Sequence, residues 1–267
     1  MSHAQASAGR PSAGRDLTRT GLALAIAILL GWGAVLVWGL GFHPLGTAWG
    51  WLTAPLVVAL QTWLNVGLFI IAHDCMHGSL APGRPGVNRT FGRLSLLLYA
   101  GFSFDKLLPA HHAHHRHSGS AQDPDFDADH PKQFWRWYLT FIRRYMGLRE
   151  LVLLAAMTWG LYFLAGIAME RVLLFWALPA MLSSAQLFLF GTWLPHRHAD
   201  DVFADRHNTR SSGYGWVASL FSCFHFGHHH EHHLHPGVPW WRLPTVAAAR
   251  AQGRAGQAPA APASSTR

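Results

Sequence analysis

The chain has 267 residues, half of them hydrophobic and only 13% charged, and its mean hydropathy is positive, a balance that argues against an ordinary soluble protein. The formal charge of +8 would suit nucleic acid if the basic residues were clustered, but they are spread over termini and the loops between apolar runs. Two cysteines against 20 histidines argue against a disulfide framework, and no CxxC pair suggests zinc or redox chemistry.

Residues 1–20 are rich in Ser, Ala, Gly and Arg and read as a disordered N-terminus. Residues 21–40 carry no charge and are long enough to span a bilayer. A cleaved signal peptide is the rival reading, but the run exceeds a usual signal core and no small-residue cleavage site follows it. Residues 52–72 form a second span, interrupted only by Gln61, Thr62 and Asn65. The apolar stretch 94–104 is too short to cross and reads as a re-entrant or interfacial helix. Residues 151–168 and 172–194 read as two more spans, joined in a tight hairpin at Met169-Glu170-Arg171. From Val246 onward the Ala/Pro/Gly/Arg/Ser-rich sequence reads as a disordered tail. The expected fold is an all-α integral membrane protein of about four transmembrane helices, with one catalytic domain over 21–245. The loop 41–51 has no Lys or Arg, whereas the other connections hold nearly all of them. That asymmetry places both termini and the histidine groups in the cytoplasm.

The histidines fall in three groups. His73-Asp74-Cys75-Met76-His77 closes the second span, and its two rings, four residues apart, project from one helix face. His111, His114 and His115 have the pattern His-x-x-His-His, which His229, His232 and His233 repeat. Neutral imidazole suits transition metals. Eight such donors exceed the roughly four that a structural zinc ion uses, so the groups read as a two-metal cap on the cytoplasmic face. A histidine-rich metal buffer or transporter is the competing class, but neither requires this regular spacing at one membrane face. His196, in Leu194-Pro195-His196-Arg197 just past the last span, is either a ninth ligand or a supporting residue. Asp123 and Asp125 form either a capping turn or carboxylates that accept the free N–H of a ligating ring. Asp74, Glu231 and His225 are candidates for the same supporting role. His3, His43 and His130 read as ordinary surface or core residues. His112, His117, His198, His228, His230 and His235 read as surface or supporting residues. Trp240 and Trp241 read as interfacial anchors.

This arrangement of boxes beside membrane spans resembles the membrane fatty acid desaturase and hydroxylase superfamily. Within it, His73-Asp74-Cys75-Met76-His77-Gly78, Asp123-Pro124-Asp125-Phe126 and Leu194-Pro195-His196-Arg197 are similar to the bacterial β-carotene ketolases. So is the long stretch from Phe224-His225-Phe226-Gly227 through His235-Pro236 to Val238-Pro239-Trp240-Trp241-Arg242-Leu243-Pro244. His228 departs from that pattern, which carries an aromatic residue there. The resemblance covers about residues 20–245. It implies two nonheme iron ions, O2 as cosubstrate and an external electron donor, reduced ferredoxin, since the chain has no nicotinamide or flavin fingerprint. It also implies a bacterial inner-membrane enzyme that oxidises the C4 methylene of β-carotene, or a related carotenoid, to a ketone. An acyl-lipid desaturase or hydroxylase shares the boxes and is the nearest alternative.

Overall fold

The structure, a computed structural model, describes residues 10–198 and 202–253. Among these residues it contains helices and no strands. Helix α1 (Arg10–Val37) runs into a π-helical turn, Trp38–Phe42. A short loop leads to α2 (Ala48–Met76), which Thr47 caps by accepting the Gly50 N–H at 3.0 Å. Then follow α3 (Pro85–Ala100), α4 (Phe104–His117), α5 (Phe134–Tyr145) and α6 (Leu148–Trp159), the last extended by a π-helical turn over Gly160–Leu164. Helix α7 (Met169–His196) contains two further π-helical turns, Leu173–Ala177 and Leu189–Trp193. Three short helices complete the described chain: α8 (Trp216–Cys223), α9 (His229–Leu234) and α10 (Leu243–Ala251).

Helices α1, α2 and α7 are long and apolar enough to cross a membrane, and α5 with α6 makes a fourth candidate bent by 87°. Helix α2 is the centre of the bundle. It is buried almost continuously from Gln61 to Met76, with α1, α3 and α7 packed against it. Two of its interior polar groups are satisfied within the bundle: Asn65 Oδ1 accepts from Trp32 Nε1 at 2.7 Å, and the Thr62 hydroxyl donates to the Val58 carbonyl. At one end of the bundle Arg171 donates to the carbonyls of Gly39 and His43 and ties α7 to the end of α1. His43 is buried there with its Nε2 against the Gly50 carbonyl. The histidine groups lie at the opposite end.

Several boundaries differ from the sequence expectation. Residues 10–20 belong to α1, because a helix started by the apolar run continues through its polar approach, as the Thr18 hydroxyl bond to the Gly14 carbonyl shows. The stretch 94–104 is not one unit. It is cut at Gly101, whose φ of +70° ends α3, and Phe104 opens α4. The α6–α7 hairpin turns at residues 165–168 around Gly166, φ +66°, so Met169-Glu170-Arg171 starts α7 instead of linking two spans. Residues 246–251 are helical because Leu243 and Val246, one turn apart, bury against the core. The rest of the expected tail from residue 254, like residues 1–9 with His3, lies outside the described residues. Trp240 is 7% exposed and packed on Phe224, so it is core and not an interfacial anchor. Trp241 is half-buried against the same core.

Candidate metal centre

Four elements bring the histidines together. Helix α2 ends by presenting His73, with His77 as its C-cap. Helix α4 carries His111, His114 and His115 on successive turns, α7 ends at His196, and α9 contributes His229, His232 and His233. Their rings sort into two clusters. His73, His77, His111, His115 and His232 form one, and His114, His196, His229 and His233 the other. Within each, one nitrogen per ring lies within 4.8 Å of all the others.

The spacing inside the clusters is that of donors around a shared cation. Nε2 of His111 faces Nε2 of His77 at 2.7 Å, and His232 faces His115 at 3.1 Å. In the second cluster Nε2 of His229 lies 2.9 Å from that of His196 and 3.1 Å from that of His233. Nitrogens held about 2.1 Å from one ion at right angles are roughly 3 Å apart. His73 is buried with neither ring nitrogen bonded to protein, and Nδ1 of His229 and His233 are likewise unpartnered. An unsatisfied buried polar group costs about 1–3 kcal/mol, so the donor set fits a pair of transition-metal ions better than it fits its own rings. Burial and neighbouring imidazoles hold His77, His111, His115, His229, His232 and His233 well below the usual imidazole range, which keeps their lone pairs free of protons.

His114 behaves differently. Burial opposes its charge, but the Asp123 carboxylate, joined by Asp125, outweighs burial and raises its pKa. Nδ1 of His114 donates to both Asp123 oxygens at 3.0 Å, leaving Nε2 for the cluster. His196 donates Nδ1 to the Asn208 carbonyl at 2.9 Å with the same consequence, and Asn208 Nδ2 anchors that loop on the Ser118 carbonyl. The other candidate supports sit elsewhere. An Asp74 oxygen is 3.7 Å from His73 Nδ1, beyond a hydrogen bond, and the carboxylate accepts the Trp240 N–H instead. Glu231 points away from the rings to Ser211 and Arg250. His225 belongs to neither cluster. It lies between Trp216 and Trp240 and reaches Ser219.

A family model for fatty acid desaturases matches residues 47–153 and 130–261. The chain belongs to the fatty acid desaturase family. It is 52% identical over 233 residues to a protein of Paracoccus sp. (strain PC1) named beta-carotene ketolase, covering 85% of this chain and 92% of the relative. A beta-carotene ketolase of Paracoccus sp. (strain N81106 / MBIC 01143) is 51% identical over 237 residues, 86% of this chain and 93% of that one. A zeaxanthin 4-ketolase of Chlamydomonas reinhardtii is 34% identical over 84% of this chain but only 52% of its own length.

In this desaturase-family chain the remaining histidines have other work. His230 accepts from Arg250 at Nδ1, 2.9 Å, and donates Nε2 to Asp205 at 2.7 Å, so both its nitrogens are spent. Nε2 of His112 donates to the Met76 carbonyl at 3.1 Å and joins α4 to α2. His198 packs on Phe126, and His130 lies between Asp127 and Arg136. His117, His228 and His235 also stand outside both clusters. Sequence reasoning missed Asn208, Ser118 and Asp205, which act through loop 202–215 and carry no motif. It also missed Phe226, whose ring packs edge-on to His73 at 4.4 Å and touches His229 and His232. Phe226 follows two residues with left-handed backbone, Phe224 and His225, φ +47° and +63°. They turn the chain sharply out of α8 toward α9.

Proposed function

We propose that the chain is a β-carotene 4-ketolase, an oxidoreductase of carotenoid biosynthesis that converts the C4 methylene of a β-ionone ring to a ketone. The observation that carries this reading is the identity of about half of all residues with two proteins named beta-carotene ketolase, across nearly their whole length. Two iron ions are the proposed cofactors. His73, His77, His111, His115 and His232 would hold one, and His114, His196, His229 and His233 the other. Bound iron supplies the redox and O2 chemistry that no side chain here offers. Reduced ferredoxin is the proposed electron donor.

The residues of the chain supply position, exclusion and charge control. The clusters cap one end of the bundle of candidate spans, so an apolar carotenoid held in the bilayer would need to bring only one ring to that end. Phe226, packed on His73 and His232, and Met76, next to His77 in the chain, put apolar surface beside the first cluster, which favours a hydrocarbon ring over water. The C4–H bonds are allylic and weakened. Two hydroxylations at the same carbon, each consuming one O2, two protons and two electrons from the donor and releasing one water, would give a geminal diol, and loss of a further water gives the ketone. Asp123 and the Asn208 carbonyl keep His114 and His196 in the tautomers that turn Nε2 inward.

Pigment composition in a β-carotene-producing host tests the reading. With the chain expressed, mono- and diketo products should replace much of the β-carotene, with the absorption maximum shifted to longer wavelength. Unchanged pigment alongside altered fatty acyl chains would favour an acyl-lipid desaturase or hydroxylase. Metal uptake without either product would favour a transporter or store.

The same reading places the protein in a bacterial inner membrane with the metal centre and both termini in the cytoplasm, on the distribution of Lys and Arg. Reporter fusions at Leu45 and after the last residue should therefore report opposite sides. The same side for both would refute the four-span topology.

A further inference from the structure

Helix α5 meets α6 at 87°, so where α6 crosses a membrane α5 runs along the surface. Trp135 and Leu139, one turn apart, are 68% and 50% exposed, whereas Trp137 is buried against Phe126 and Phe188. From this helix three side chains converge on one short segment, the turn Asp123-Pro124-Asp125. Trp137 Nε1 donates to the Asp125 carbonyl at 2.7 Å. The Arg144 guanidinium donates to the Pro124 carbonyl, and the Tyr145 hydroxyl donates to the Asp125 carboxylate.

That turn holds His114, the one ring of the His111, His114 and His115 group that belongs to the second cluster. The N–H groups of Asp125 and Gly119 each donate to Asp123 at 2.8 Å, and Asp123 accepts Nδ1 of His114. The second carboxylate, Asp125, also stands near: its Oδ2 is 3.8 Å from the same Nδ1. Two carboxylates thus lie within reach of one imidazole N–H, and only one can orient it well. A half-buried carboxylate deprived of its donor turns to the nearest alternative. For Asp125 that alternative is His114.

We propose that Tyr145 is a positioning residue for the second metal ion. Its hydroxyl holds the Asp125 carboxylate aside, so that Asp123 alone sets the rotation of the His114 ring. The inference rests on the reading of the nine histidines as ligands.

Titration of the purified, metal-free full chain with Co2+, followed by visible absorption, tests both. The wild-type chain should take up two ions in two steps. Tyr145→Phe keeps the ring that packs on Phe141 and should weaken one step by about 10- to 100-fold, leaving the other unchanged. On an Asp125→Ala background the same substitution should have no further effect, because the group it restrains is gone. Two unchanged steps in Tyr145→Phe, equal weakening of both, or an effect that persists without Asp125 would each overturn the proposal. Fewer than two ions bound by the wild-type chain would instead overturn the ligand assignment.

Discussion

Single alanine substitutions at His73, His77, His111, His114, His115, His196, His229, His232 and His233 should each abolish ketone formation, while the protein still accumulates in membranes. Each ring is one of four or five that supply a nitrogen to its cluster, and the nearest other imidazoles, His112 and His207, have ring centroids 6.0 Å or more from the cluster rings, so its loss opens a coordination position. His196 belongs in this set because its Nδ1 is committed to the Asn208 carbonyl and its Nε2 lies 2.9 Å from that of His229. His117→Ala and His235→Ala should retain most activity. His230→Ala should give an intermediate result. It breaks the link between Asp205 and Arg250 and costs about 1–3 kcal/mol of stability, without removing a cluster nitrogen. Carotenoid chromatography, paired with immunoblots of the membrane fraction, separates these outcomes. Full activity in two or more of the nine variants would refute the site, and loss confined to His112 or His228 would mean that the boxes are read in the wrong register.

Gly92→Ala should be nearly as damaging, although position 92 touches no histidine. A β-carbon there would lie 2.2 Å from Phe104 Cε2 and 2.5 Å from its Cδ2. Phe104 is 4% exposed and is the first residue of α4, so it cannot swing into solvent to make room. The strain passes into the helix that presents His111, His114 and His115. Overpacking of this kind costs about 1–3 kcal/mol, and a displacement of even 1 Å at the rings would cost far more in rate than in stability. The expected result is a thermal midpoint in detergent lowered by several degrees and a ketone yield reduced at least tenfold. Trimming the obstacle with Phe104→Leu in the same chain should recover part of both. Wild-type pigment from Gly92→Ala would show that α4 tolerates the shift and that its packing does not set the geometry of the centre.

What the sequence could reveal followed the range of the interactions involved. Histidines three or four apart share a helix face whatever the rest of the fold does, so the boxes were readable, and the structure gathers those rings at one end of the bundle. The long apolar runs of α1, α2 and α7 were readable for the same reason. The partition into two clusters was not. It separates His114 from its neighbours His111 and His115 and joins it to His196, which depends on how α4, α7 and α9 meet. Asp74 shows the same limit: beside His73 in sequence it looks like a support, but the distant Trp240 N–H claims its carboxylate. Trp240 itself was misjudged because tryptophan at a membrane border is usually an anchor, and only the packing of Phe224 and His225 shows it to be core.

Neither cluster is local in the chain, and this constrains how the protein is made. The first needs His73 and His232 together, the second needs His114 and His233, and more than half of the sequence lies between His73 and His233. At a synthesis rate of about 5–20 residues per second, roughly ten to thirty seconds separate the emergence of those two residues from the ribosome. Throughout that interval His73, His77, His111 and His115 lack His232, and His114 lacks His229 and His233. On the proposed reading, completion of either metal site must therefore be a late event in biogenesis, following insertion of the spans. If the proposed iron cofactor is right, a cell short of iron would accumulate inserted, helical but pigment-inactive protein in its membranes, and returning the metal would activate it without new translation.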